Sequence, residues 1–192
     1  MLDGKTHGID GKLNIYLLGK FVTAHLVIRR TQPTDIAVLT EIVIKMLHHY
    51  GVPLGQTRAQ VAAALAQDGP HGSQLFECLL AFRAERPVGL LMFSLIYDVG
   101  VLQPCVFIKD LYVCPLERNR RTGRRLMIEL AKLAVAQNWQ RIDWQTDTEN
   151  AAAIRFYDSL ADCRVGKVSF RLAGNAIAKL ARDLEEGLEN RS

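Results

Sequence analysis

The chain has 192 residues, enough for one well-buried domain and short for two. Its 49% hydrophobic and 23% charged residues are the balance of a globular protein rather than of a disordered tail, and no apolar run approaches the roughly 18 residues of a membrane-crossing helix. The net charge of +4 comes partly from one place, five arginines among the eight residues from Arg118 to Arg125, which calls for a phosphate or another acidic partner.

Residues 1–25 carry scattered glycines, Asp3 and Asp10, with no sustained period. They read as a loosely attached N-terminal extension to a domain spanning residues 26–188. The extension lacks the basic start and continuous apolar stretch of a secretory signal, so the expected location is cytoplasmic. From His25 to Arg30 the residues alternate as a strand, and Thr31-Gln32-Pro33-Thr34-Asp35 supplies capping residues and an early-turn proline for a helix. Ile36, Leu39, Val43, Met46 and Leu47 then share one helical face until Gly51. Thr57 and Gln60 have the spacing of a capping box, opening a shorter helix through Val61, Ala64 and Leu65 that Gly69-Pro70 ends.

Phe76, Cys78, Leu80 and Phe82 alternate along a strand, Glu85-Arg86-Pro87 reverses the chain, and Val88 to Ile96 forms its antiparallel neighbour. After a break at Asp98-Val99-Gly100 comes a strand from Val106 to Val113, the arginine-rich turn, and a helix with Leu126, Leu130, Leu133 and Ala134 on one face. Ile142, Trp144 and Thr146 alternate again, Asn150 caps a further helix, and Val168, Phe170 and Leu172 read as another strand. Ile177, Leu180, Leu184 and Leu188 close the chain as an amphipathic helix. Helices set between strands with no Pro/Ser-rich linker predict an α/β domain, a mixed sheet covered by helices. The cysteines at 78, 105, 114 and 163 form no C-x-x-C pair and have no histidines at ligand spacing, so reduced, mostly buried thiols and no metal are expected.

The most informative segment is Asp110-Leu-Tyr-Val-Cys-Pro-Leu-Glu-Arg118-Asn-Arg-Arg-Thr-Gly123, a strand, a short turn and the opening of a helix. Unpaired amides at a helix start, aided by the helix dipole, grip phosphate oxygens without any side chain. Read alone, the same arginines are explained by a solvated basic turn; a phosphate-contacting nucleic-acid face is the lesser rival, because no helix here combines basic residues with a base-reading surface. Val113, Pro115, Arg118 and Gly123 match motif A of the GCN5-related N-acetyltransferases (GNAT), V-x-P-x-x-R-x-x-G-x-G, which the segment resembles; Arg121 stands where the first motif glycine would be. A second stretch resembles that family's motif B, N-x-x-A-x-x-F-Y-x-x-L-G. Here Asn150, Ala153, Phe156, Tyr157 and Leu160 are in register, with Ala161 in place of the last glycine.

The resemblance implies the GNAT fold, a central, mostly antiparallel mixed sheet flanked by helices, and acetyl-CoA as co-substrate. It assigns the pantetheine arm to the backbone of Leu111, Tyr112 and Val113. The pyrophosphate falls to Arg118, Asn119, Arg120, Arg121, Thr122, Gly123 and Arg124, with Asn150 as a further cofactor contact. Arg121 either turns outward or reaches the CoA 3′-phosphate; Asn150 is explained equally by an N-cap. An amine attacks the thioester directly once neutral, and the departing thiolate benefits from a proton. By resemblance Tyr157 gives that proton, while the plain alternative is that Phe156-Tyr157 only packs its helix. Asp110, His48 and His49 are the candidate bases.

Phe93-Ser-Leu-Ile-Tyr97, Lys109-Asp110-Leu111-Tyr112-Val113 and Phe170-Arg171-Leu172 are similar to the diamine and polyamine acetyltransferase branch. Lys109, where that branch has a glutamate, would repel a polycation. The expected acceptor is therefore a small amine with a negative group near Lys109, bound by His49, Tyr50, Lys109 and Asp110. A homodimer is the assembly the resemblance suggests, and a catalytically silent CoA-binding module is the alternative to an enzyme.

Overall fold

In the computed structural model of the chain, the described residues are 25–160, 164, 166 and 169–181. The chain divides into two compact units, Met1–Gln145 and Thr146–Ser192. The first contains β1 (Leu26–Arg30), α1 (Ile36–His49), α2 (Arg58–Asp68), β2 (Glu77–Arg83), β3 (Arg86–Asp98), β4 (Gln103–Val113), α3 (Thr122–Ala136) and β5 (Ile142–Trp144). The second contains α4 (Ala151–Asp158), and residues 175–181 are also helical.

The five strands lie in chain order in one sheet. β1 pairs with β2, β2 with β3 and β3 with β4, all antiparallel, and β5 runs parallel to β4. This is the mixed, mostly antiparallel sheet predicted from the sequence. Alternation along β2 divides the core: Cys78, Leu80 and Phe82 pack with Leu90, Tyr112 and the α1 residues Leu39, Ile42, Val43 and Met46. On the opposite face Gly89 makes room for α3, because a Cβ there would stand 3.3 Å from Leu126 Cδ1 and 3.0 Å from the Tyr112 carbonyl oxygen. That close approach seats α3 against the strands it follows.

Local chemistry accounts for the helix starts. Asp35 accepts from the Gln32 N–H at 2.7 Å and from Arg29 Nη2 at 2.9 Å, fixing the entry to α1. The Arg29 guanidinium beside Asp35 holds its carboxyl below the ordinary aspartate range. Thr57 caps α2 in the predicted reciprocal arrangement with Gln60. On α1 the buried stripe is Leu39, Thr40, Ile42, Val43 and Met46; of the other expected residues Leu47 packs against the same cluster, half-buried, and Ile36 is half-buried at the start of the helix.

The sequence reading departs from the structure near the end. Thr146 lies outside β5, and Val168 is outside the described residues. Phe170 and Leu172, expected in a strand, are exposed and in no regular structure, Phe170 by 93%. Alternating apolar residues make a strand only where a partner strand takes up the backbone hydrogen bonds. Leu184 and Leu188 of the expected last helix, and Cys163, also fall outside the described residues, as do residues 1–24 of the expected extension. Cys78, Cys105 and Cys114 are free thiols, and burial pushes Cys78 far above its usual range.

Candidate active site

The site begins with an irregularity in β4. Met92 pairs with Asp110 but the next residue, Phe93, pairs with Ile108, so Lys109 is an extra residue and forms a β-bulge. Before it, the Val106 N–H donates to the Arg141 carbonyl at 2.8 Å, and β5 pairs with β4 as far as Ile108 opposite Trp144. Beyond it, the Cys114 N–H donates to Val88 of β3 at 2.9 Å. Backbone groups alternate sides along an extended chain, so Tyr112 also faces β3 while Leu111 and Val113 face away. The extra residue has switched which backbone groups face outward, and no described strand pairs with that edge after Ile108. Leu111, Tyr112 and Val113, the expected pantetheine contacts, are the last three residues of this stretch.

Next comes the turn. Pro115–Glu117 makes one turn of 3-10 helix, and α3 opens at Thr122 with Arg121 as its N-cap. The first helical bond after the turn runs from the Arg125 N–H to the Arg121 carbonyl at 3.0 Å, so the amides of Thr122 and Gly123 stand in the first turn of α3, where a helix has no carbonyls of its own to offer. Asn119 and Arg121 both have left-handed backbone, with φ of 61° and 63°. A residue with a Cβ pays about 1–2 kcal/mol for that conformation, and glycine does not. The motif glycine that Arg121 replaces therefore answers a backbone requirement, which Arg121 meets with an exposed side chain. Thr122 is buried, and its Oγ1 has no hydrogen-bond partner among the described residues.

Ion pairs brace the turn from below. Glu117 accepts from Arg83 Nε at 2.9 Å, tying the turn to the end of β2, and from Arg120 Nη1 at 3.3 Å. Sequence reasoning missed both Glu117 and Arg83: their separation of 34 residues leaves no local signal. Arg118 donates from Nε to the Val113 carbonyl at 3.2 Å and lies 2.7 Å from His49 Nε2 through Nη2.

His49 is the last residue of α1 and Tyr50 its C-cap. Their rings lie 5.5 Å apart, and that of His49 lies 5.7 Å from the ring of Tyr112. Burial raises the Tyr112 phenol above its usual range, aided by its hydrogen bond with the Cys114 thiol and opposed by Arg118. Asp110 is half-buried just past the bulge; desolvation raises its carboxyl, against the pull of Lys109. The fold thus favours Asp110 protonated, an advantage held below the ordinary aspartate pKa near 3.9 and lost as pH rises through the higher value. Of the expected residues, His49, Tyr112, Val113 and Arg118 meet directly. His48 is exposed in the last turn of α1.

In the second unit, Asn150 caps α4, its Oδ1 accepting from the Ala153 N–H at 3.0 Å. Tyr157 lies half-buried two turns on, its ring 5.2 Å from that of Phe156. Among the described residues no group of three or more His, Cys, Asp or Glu is placed to hold a metal ion, and no helix is long and apolar enough to cross a membrane.

A mixed sheet whose fourth strand loses its neighbour and runs through a turn into an open helix start is an acyl-CoA-transferase scaffold. The chain belongs to the acetyltransferase (GNAT) family, whose model matches residues 46–161. It is accordingly an acetyl-CoA-dependent acetyltransferase. No curated protein matches it. Among solved structures, it is similar to an integron cassette protein from the mobile metagenome of V. cholerae, at 25% identity over 82% of this chain and 98% of that one, with a TM-score of 0.73. A ribosomal-protein-alanine N-acetyltransferase from Brucella melitensis biovar Abortus is 16% identical over 78% of this chain and 100% of its own, with a TM-score of 0.66. An aminoglycoside N-acetyltransferase in complex with CoA is 16% identical over 78% and 95% of the two chains, with a TM-score of 0.64.

Proposed function

We propose that the chain, through a domain spanning residues 26–188, moves the acetyl group of acetyl-CoA to a primary amine on a small acceptor. The observation that carries this reading is the outward-facing backbone of Leu111 and Val113 leading, through the turn, to the N–H groups of Thr122 and Gly123 at the start of α3. An extended amide chain that ends in a diphosphate has the matching pattern, hydrogen-bonding groups for a strand edge and then an anion for a helix start. The unpartnered Thr122 hydroxyl adds polar capacity beside it.

Acetyl-CoA supplies the thioester carbonyl and a thiolate leaving group. Leu111, Tyr112 and Val113 hold the arm by main-chain bonds, and Arg118, Asn119, Arg120, Arg121, Thr122, Gly123 and Arg124 form the cradle for its phosphates. Asn150 is a further contact. Tyr157 delivers a proton to the departing sulfur. Tyr50, Lys109 and Asp110, with His49 between the two ligands, face the acceptor. The cation at Lys109 argues for an amine that also carries a negative group, over a simple polycation. The aminoglycoside and ribosomal-protein enzymes of the same fold are N-acetyltransferases, in keeping with an amine acceptor.

An amine panel followed by release of free CoA tests this reading. Tyr157→Phe is expected to lower kcat about a hundredfold or more while leaving the KM for acetyl-CoA within roughly twofold. Parental kcat in that variant removes Tyr157 as proton donor. Calorimetric uptake of CoA with no turnover on any amine would leave a CoA-binding module in place of an enzyme.

A further inference from the structure

Arg118 carries only donors, so in its 2.7 Å contact the ring nitrogen Nε2 of His49 is the acceptor and the ring proton sits on Nδ1. The same guanidinium holds the Val113 carbonyl through Nε at 3.2 Å. One side chain therefore ties the end of the open β4 edge to the last residue of α1. The imidazole it leans on sits in a cluster of three rings, with Tyr50 at 5.5 Å and Tyr112 at 5.7 Å and those two 6.5 Å apart, and Tyr112 is 4% exposed in the core. A long exposed arginine is ordinarily free to rotate, and ordering it on binding a ligand costs affinity. Here it is ordered beforehand by a histidine 69 positions away.

We propose that His49 is a positioning residue for cofactor capture, acting through Arg118: its Nε2 holds the guanidinium over the turn so that the remaining N–H groups meet the CoA diphosphate already oriented. The inference rests on the assignment of residues 118–124 to the diphosphate. It also gives the Nε2 lone pair a use other than taking a proton from the acceptor, since that lone pair already accepts from a cation.

CoA titrated calorimetrically into the full chain tests it. His49→Ala is expected to weaken CoA roughly three- to tenfold, the cost of ordering one free side chain. His49→Gln, whose amide oxygen accepts in the same place, is expected to restore parental affinity. In an Arg118→Ala background, His49→Ala is expected to add nothing, because the interaction has already been removed. Unchanged affinity in His49→Ala, no recovery with Gln, or an equal loss with and without Arg118 each overturns the proposal. Failure of the parent itself to take up CoA sinks the cofactor assignment instead, so the two failures are distinct. Matching thermal melts of the three His49 forms establish that folding is not what changed.

Discussion

From Val106 to Ile108, β4 has β3 on one side and β5 on the other, and Val106 and Ile108 are buried. From Asp110 to Val113 it keeps β3 alone, and its other edge carries the outward backbone groups of Leu111 and Val113. One extra residue, Lys109, separates the two halves. In the first half the strand is paired by the sheet on both sides. In the second half the sheet uses only one side, and on the other the Val113 carbonyl accepts from Arg118. A single bulge thus divides the strand into a part paired on both sides and a part with one open edge, the edge to which the proposed cofactor site is assigned.

The largest expected effect lies in the paired half. Ile108→Ala should cost about 2–5 kcal/mol, read from urea unfolding, by opening a cavity where the side chain is 4% exposed. The folded fraction should keep parental CoA affinity; a selective loss of CoA binding with unchanged stability would erase the contrast. In the open half the reverse holds. Val113→Pro removes an N–H that the sheet does not use and is expected to change unfolding midpoints little while weakening CoA about tenfold, one lost hydrogen bond of roughly 1.4 kcal/mol. A variant that fails to fold would show that the Val113 N–H is paired in the sheet after all. The smallest effect belongs to the turn: Arg121→Gly relieves a left-handed side-chain residue and should stabilise by roughly 0.5–1 kcal/mol, after glycine's extra chain entropy is set against the strain. A drop in melting temperature would mean that the Arg121 side chain contributes more than its backbone costs. Comparing CoA with its form lacking the 3′-phosphate then separates an outward Arg121 from one that reaches that group.

Much of this arrangement was legible in the residues because it is local. The capping box at Thr57, the Asn150 cap and the strand–turn–helix from Val106 to Ala134 depend on neighbours within a few positions. Motif spacing located the candidate cofactor turn for the same reason. What escaped was set by distant partners. The bulge at Lys109 exists only relative to β3, and Glu117 finds Arg83 across 34 residues. The alternation of Phe170 and Leu172 predicted a strand, yet Phe170 is exposed in irregular chain, since period alone supplies no pairing partner.

By itself the amino-acid sequence determined the order of elements, most of their ends and the family motifs, all of them products of backbone preference and short-range hydrogen bonding. Only the tertiary structure decided which edge of β4 is open, that position 121 takes the left-handed conformation a glycine would favour, and that His49 meets Arg118. Those features arise where separate elements cross, and their energies depend on register and on approach distances that no run of neighbouring residues contains.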